Sequence, residues 1–454
     1  MRRRHLFMNK AVSAVTGQVR AGSGSKQSAY SWYVLGVLGC VSLANYYDRN
    51  LISILVEPIK RDLRLSDAQI GLLSGFAFAL AYSVFGIPVA RLADRYGRSR
   101  ILSVAVAVWS AMTVLTGRTA DFLTMLLARA GVAMAEAGGL PATHALVADY
   151  FGPQRRGTAL SVIGVCGGLG ASVALAGGGL INDWRGWRTA FSIGGIAGLV
   201  LAIVLWSTVS EPVRAPANAS QEAIRRASIA STVRTLWGRR SYVHLCVGLA
   251  ICAVGAYGQF AWTPTFLMRS YHLSTAQVGV YYSAAAGPAT LVSIFLGGAL
   301  NDWLLKRRKS APLWILAATF AVTVPASLVF LLVHHLPLAM IMAVVTTVLG
   351  SLWIGPSYAL VQSLSGPALR ATAAAIFMMV VNIVGLGLGP YLTGLLSDAL
   401  AVRSGGQALA LSLAVVTTAS GLGVIHFVLA MRTVEADMAE AEGTHLSCDP
   451  HTNV

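Results

Sequence analysis

Charge is what this sequence lacks. Only 11% of its 454 residues are Asp, Glu, Lys or Arg, against roughly 25% in an ordinary soluble protein. Hydrophobic residues make up 56%, and the mean hydropathy is +0.66. That composition cannot cover a water-exposed surface of this size, so most of the chain must lie in lipid. Cysteine is sparse too. Cys40, Cys166, Cys246, Cys252 and Cys448 show no metal-ligand spacing, and four of them fall in apolar runs, which argues against a disulfide framework. His334-His335 has no acidic or cysteine residue beside it, so no metal site is expected. There is no nucleotide-binding loop, no activated nucleophile and no soluble catalytic segment, which argues against an enzyme and against a bound cofactor. Residues 1–30 are basic but carry no cleavable-signal pattern, and they read as a disordered cytoplasmic tail.

What is present is a series of apolar stretches, each of about 20 residues or more and so long enough to span a bilayer. Twelve are expected: 31–57, 67–92, 99–119, 122–150, 157–180, 188–209, 241–268, 275–305, 311–333, 337–364, 369–397 and 406–431. They are numbered here as spans 1 to 12. The net charge of +16 invites a nucleic-acid reading that its distribution rejects. With the first residues placed in the cytoplasm, 24 of the 34 Lys and Arg fall on inner segments and 8 on outer ones. This asymmetry is the positive-inside rule, and it puts both termini inside. The basic residues then serve topology and contact with anionic lipid heads. The sequon Asn218-Ala-Ser220 falls on the inner side and should stay unmodified. Short loops and the lack of a glycosylated outer loop suggest a bacterial inner-membrane protein, expected to be a monomer.

The chain repeats itself. Leu65-Ser-Asp-Ala-Gln-Ile-Gly71 returns 208 residues later as Leu273-Ser-Thr-Ala-Gln-Val-Gly279, and Ala90-Arg-Leu-Ala-Asp94 returns as Gly298-Ala-Leu-Asn-Asp302. A third echo, Gly179-Leu-Ile-Asn-Asp183 against Gly394-Leu-Leu-Ser-Asp398, sits at an offset of 215. The sequence therefore divides into a tail (1–30), a six-span bundle (31–209), a linker (210–240), a second bundle (241–431) and a frayed helical tail (432–454). Parallel six-helix repeats mark a transporter architecture with its substrate site between the halves. Ser66-Asp-Ala-Gln69 and Ser274-Thr-Ala-Gln277 are capping boxes that should start spans 2 and 8 at the outer surface. Within the linker, residues 221–237 read either as a basic helix on the inner membrane face, anchored by Ile224, Ile229 and Leu236, or as a solvated connection. Gly164, Gly167, Gly168 and Gly170 in span 5 read as packing and hinge positions, as do Gly385, Gly387, Gly389 and Pro390 in span 11.

Four charges lie well inside spans, where they are costly and usually functional. Asp48 and Arg49 are in span 1. Arg129 and Glu136 are in span 4, seven residues apart and so on one helix face, about 10 Å apart along the axis. Burial pushes a carboxylate toward its protonated form and a nearby arginine pushes it back. Asp48 and Glu136 are therefore candidates for proton coupling, with a permanent salt-bridge network as the structural alternative. Arg49 and Arg129 either bind an anionic head group through bidentate pairing or simply hold the two acids. Tyr257, Gln259 and Trp262 (span 7), Trp353 and Tyr358 (span 10) and Phe377 (span 11) are candidates for an amphipathic cavity wall. His144 lies two turns below Glu136 and reads as a satisfied interior histidine, with a proton relay as the alternative.

Residues 90–100, Ala-Arg-Leu-Ala-Asp-Arg-Tyr-Gly-Arg-Ser-Arg, resemble the signature loop of the major facilitator superfamily, Gly-x-Leu-Ala-Asp-Arg-x-Gly-Arg-Arg, with Ala90 and Ser99 departing from it. In the second half the basic cluster is displaced to Lys306-Arg-Arg-Lys309. The resemblance covers about residues 30–431 and implies an all-α membrane fold of twelve helices in two pseudo-symmetric bundles. It also implies a cytoplasmic gate in which Asp94 docks on the start of span 11 and Arg95 and Arg98 pair with Asp149 at the base of span 4. Those contacts would hold the inner side closed.

Asn45-Tyr-Tyr-Asp-Arg49 is similar to the span 1 motif of the spinster branch, transporters of lysophospholipids and sphingosine-1-phosphate-like lipids. Supporting matches are Arg129 with Glu136, Asp149-Tyr-Phe-Gly-Pro-Gln-Arg-Arg-Gly157 and Asn382-Ile-Val-Gly-Leu-Gly-Leu-Gly-Pro390. Carried over, the resemblance makes Asp48 and Glu136 the coupling carboxylates and Arg49 and Arg129 their partners and head-group contacts, with Asn45 and Asn382 beside the substrate. Bacterial transporters of small organic acids share parts of the motif. The proline of the drug-antiporter signature is absent from span 5. The expected function is proton-driven transport of an amphipathic lipid through the bilayer, with a small organic anion or drug-like compound as the alternative cargo.

Overall fold

The computed structural model describes residues 29–212 and 229–446, and all regular structure among them is helical. Ten helical segments are long and apolar enough to cross a membrane. One of these, Thr372–Met431, turns back through the tight turn Gly405–Gln407 and so holds spans 11 and 12. Ala29–Leu63, whose apolar run is interrupted by Asp48 and Arg49, adds span 1. The result is the expected twelve helices, six to each half. Span 6 ends at Thr208 and span 7 begins at Arg240.

Both capping boxes are formed. Ser66 Oγ accepts from the Gln69 amide and Gln69 Oε1 from the Ser66 amide, and Ser274 and Gln277 repeat the arrangement. Spans 2 and 11 each widen into a π-turn, Leu72–Phe76 and Asn382–Leu388, and the two turns face each other. The approach requires glycine: a Cβ on Gly75 would lie 2.8 Å from the Leu386 carbonyl oxygen. In span 5 the small residues divide by role. Gly167 and Gly170 let the helix close on Tyr46 and Leu43 of span 1. Gly164 has nothing within 4 Å and Gly168 only Leu291 at 3.9 Å, so the packing role expected of these two is not found.

The apolar core shows how the halves sit. On one side of the membrane region a single cluster runs across both, joining Leu51, Ile54 and Ile70 to Trp262, Phe266 and Leu409. On the other side the core is divided. One cluster belongs to the first half (Leu38, Trp109, Leu146) and another to the second (Tyr242, Leu316, Phe377). Apolar burial is the main cohesive term, about 25 cal/mol per Å², so the halves are closed against each other where they share a core and parted where they do not. The parted side carries both ends of the described chain and the inter-half connection, and is called the basic face below.

Two expectations for that face need correction. Leu236 is not a lipid anchor: the helix Ile229–Gly238 buries it in the core of the second half, while Ile224 lies outside the described residues. The tail read as frayed contains the helix Val434–Leu446, which seats Val434, Met438 and Ala441 against the same half. Asp437 fixes it by accepting from the Ser241 backbone amide (2.7 Å) at the start of span 7.

Candidate functional site

Between the halves lies a cavity of about 490 Å³. Its walls are largely apolar, formed by side chains such as Leu249, Phe260, Phe320, Val324 and Leu386. Arg49 and Arg129 are the charged residues that reach it, and no Asp or Glu lies among its described lining residues.

Behind that wall spans 1, 3 and 4 hold the buried charges together. Arg49 Nε donates to Glu136 Oε2 at 2.8 Å. Asp48 Oδ2 accepts from Thr113 Oγ1 of span 3 at 3.0 Å. Arg129 reaches the main-chain oxygen of Asp48 (3.5 Å), not its carboxylate. Asp48, Arg129 and Glu136 are all buried; among the described residues Asp48 Oδ1 and Arg129 Nε have no hydrogen-bond partner, while the Asn45 side chain lies against Glu136. Each guanidinium is steadied by an aromatic face: Arg49 lies 4.5 Å from the Tyr82 ring centre and 5.3 Å from that of Phe78, and Arg129 lies 5.4 Å from Phe78. Such contacts contribute about 0.5–2 kcal/mol each.

Glu136 ends the helix segment Phe122–Glu136, before a break that resumes at Gly139. The free carbonyls of a helix end repel an anion, which leaves Arg49 as its principal support. A cation exposed to the cavity is thus tied to a carboxylate that is not. Any anion that takes Arg49 must compete with Glu136.

The other candidates separate clearly. Tyr257, Gln259, Trp353 and Asn382 line the cavity, and the Tyr257 hydroxyl donates to Asn382 Oδ1 at 3.4 Å, tying span 7 to span 11. Three do not line it. Phe377 is fully buried with Tyr358 packed edge-on against it, and Asn45 is buried behind the cavity wall, its side chain against Glu136. Trp262 is structural, its Nε1 donating to the Pro390 carbonyl at 2.9 Å. His144 is exposed, so it is not an interior histidine, and no hydrogen bond among the described residues ties it to Glu136.

At the basic face Arg98 Nη1 pairs with Asp149 Oδ2 at 2.6 Å, and the Arg95 guanidinium lies over the Tyr96 ring. Glu211, which sequence reasoning missed, accepts from the backbone amides of Arg98 and Ser99 (both 2.8 Å) and so caps span 3. The side chain of Asp94 lies outside the described residues. Arg98 and Asp149 both belong to the first half, Glu211 lies at the start of the linker that leaves it, and their contacts are intact where the halves are parted. The expectation that the Arg98–Asp149 pair must break for this side to open is therefore wrong: rocking one half against the other does not separate two residues of the same half.

The opposite face is closed by contacts that cross between halves. Asp398 of span 11 accepts from the backbone amides of Asp67 (3.0 Å) and Ala68 (2.8 Å) at the start of span 2. Asp183 of span 5 accepts from the Ala276 amide (3.1 Å) at the start of span 8. These are the aspartates of the third sequence echo, which was visible as a repeat but had no assigned role. Among the described residues only the span 2 side adds ion pairs across the halves: Arg269 bridges Asp67 (2.7 Å) and Glu57 (2.5 Å), and Lys60 also reaches Asp67 (2.5 Å).

A family model of the Major Facilitator Superfamily matches residues 38–390, and the chain belongs to that superfamily of transporters. Within it the chain resembles the spinster branch. It is 27% identical to protein spinster of Drosophila melanogaster, over 81% of this chain and 62% of that one. A solved structure of a bacterial homolog of the human lysosomal transporter spinster, inward-facing and unoccupied, matches with a TM-score of 0.77 at 28% identity, covering 92% of this chain and 98% of that one. An MFS-type efflux pump of Mycolicibacterium smegmatis is 36% identical over 90% of this chain and 95% of its own length.

Proposed function

We propose that this transporter moves an amphipathic anion, of the lysophospholipid or sphingoid-phosphate kind, by rocking its halves around the central cavity in a proton-coupled cycle. The observation that carries this reading is Arg49, which faces a mostly apolar cavity while its Nε is held by Glu136 at 2.8 Å. An apolar cavity with guanidinium groups at one wall fits a molecule with a hydrocarbon body and an anionic head. Protonating Glu136 releases Arg49 to the head group. Losing the head group returns Arg49 to a Glu136 that must give up its proton. Asp48 is the second coupling carboxylate, linked to Arg129 through its own backbone. No resident cofactor enters the cycle: the proton gradient drives it.

In this reading the basic face is cytoplasmic, as the positive-inside rule requires, and the conformation described is open to the cytoplasm. The protein sits in the plasma membrane as a monomer, with both termini inside. The efflux-pump relative favours a second reading, in which the cargo is a small organic anion or drug-like compound handled by the same charges.

The test uses purified protein in liposomes with an imposed pH gradient, a fluorescent lysophospholipid, a panel of small organic anions and the variant Glu136→Gln. Gradient-driven lipid movement that is lost in the variant is the expected result. Uptake of a small anion without lipid movement would transfer the assignment to the second reading. A variant with wild-type transport and pH dependence would remove the coupling role of Glu136.

A further inference from the structure

The wall facing the arginines is polar in a different way. Gln259 of span 7 lines the cavity, and its Oε1 accepts from Ser327 Oγ of span 9 at 2.9 Å. Ser327 is completely buried and does not itself line the cavity. In this orientation the amide oxygen is held from behind and the nitrogen, a double donor, is left to the cavity. Around it stand Thr263, Tyr282, Thr346 and Thr347. The threonine hydroxyls donate to carbonyls of their own helices: Thr263 to Gln259 (2.7 Å), Thr346 to Ala343 (3.1 Å) and Thr347 to Ala343 (2.7 Å). Their oxygens therefore remain acceptors. The Tyr282 hydroxyl lies against Thr263 and Thr347.

This cluster offers donors and acceptors side by side and carries no charge. A neutral hydroxylated group satisfies both kinds of partner. A quaternary ammonium satisfies neither: it cannot donate or accept, it finds no carboxylate among the described lining residues, and it shares the cavity with Arg49 and Arg129. Like charges brought close together in a largely apolar cavity repel.

We propose that the Gln259 cluster is a second recognition site that reads a neutral, hydroxyl-bearing group on the far side of the substrate's phosphate, so that anionic phosphoglycerol-type lipids are taken in preference to zwitterionic phosphocholine ones. The inference rests on the reading of the cargo as an anionic amphiphile. It assigns Gln259 as a contact residue and Ser327 as a positioning residue that acts only through the amide it orients.

The experiment is competitive binding of lysophosphatidylglycerol and lysophosphatidylcholine of equal chain length to the purified protein in nanodiscs. Wild type should favour the phosphoglycerol lipid by about tenfold, the order expected of one or two net hydrogen bonds made to one lipid and not to the other. Gln259→Leu should cut that preference by about fivefold or more, weakening the phosphoglycerol lipid more than the phosphocholine one. Ser327→Ala should lower the preference part of the way, and Ser327→Thr should restore it. That pattern, in which selectivity falls and the hydroxyl of Ser327→Thr brings it back, is one that mere loosening of the bundle does not produce. If Gln259→Leu does not fold, the Ser327 pair carries the test alone. Equal binding of both lipids, tighter phosphocholine binding of the kind an aromatic cage gives, or a preference untouched by either substitution would overturn the inference and leave the lipid reading standing. Binding of neither lipid would overturn both.

Discussion

The two halves share one architecture and differ in what they bury. At the repeat offset of 208, Asp48 and Arg49 of span 1 correspond to Ala256 and Tyr257 of span 7. The first half places two acids and two arginines across spans 1 and 4, while the second lines its side of the cavity with amides, hydroxyls and aromatic rings. A duplicated fold has thus been divided between charge and shape. In the proposed cycle the charged half does the switching, taking up a proton on Glu136 as Arg49 takes the anion. The neutral half presents a fixed pattern of donors and acceptors. Closure of the far face shows the same imbalance. Both halves lend an aspartate to a helix start in the other, but only the span 2 side adds the Arg269 cluster.

That division can be broken, and the largest effect belongs to its charged side. Glu136→Gln should abolish gradient-driven transport while leaving a folded protein, because the glutamine oxygen still accepts from Arg49. Arg49→Ala should be worse for stability, since it leaves a buried carboxylate without its partner at a cost of about 3–5 kcal/mol; thermal unfolding of the two purified variants measures the difference. Next comes the far-face closure. Arg269→Ala should raise solvent labelling of a single cysteine placed near Glu57 much more than Asp183→Asn raises it near Ala276, and equal effects would mean that the extra charges on the span 2 side contribute nothing. A smaller effect is expected of Tyr82→Leu, which removes a ring from Arg49 and should weaken anion binding by about three- to tenfold. Thr113→Val should be the mildest, destabilising by about 1 kcal/mol through the lost hydrogen bond to Asp48.

Much of this was legible in the chain. The spans announce themselves as apolar runs, and the buried charges stand out because so few others interrupt them. The partners of those charges were not legible. Phe78 and Tyr82 are four residues apart, on one face of span 2, but aromatic residues in spans usually just pack, so nothing marked these two as cation-binding. Thr113 was invisible for a similar reason: a hydroxyl in a span normally bonds to its own helix, and Thr113 also does so, through the Trp109 carbonyl. Asn45, Tyr358 and Phe377 were misplaced because a residue type does not say which side of a helix faces the cavity. The tail helix did carry a signal, Val434, Met438 and Ala441 at helical spacing, hidden among the acidic residues around it.

The central claim is that Arg49 serves Glu136 and the substrate's anion by turns. It is tested most directly by the pH dependence of lysophospholipid binding to the purified protein, wild type against Glu136→Gln, with no gradient applied. If anion binding and protonation of Glu136 favour each other, wild-type affinity must rise as pH falls, and binding must take up a proton. In the variant the part of that dependence owed to Glu136 should be lost and affinity should stay nearer its acid-side value. A wild-type affinity independent of pH, or a variant that keeps the same dependence, would contradict the account.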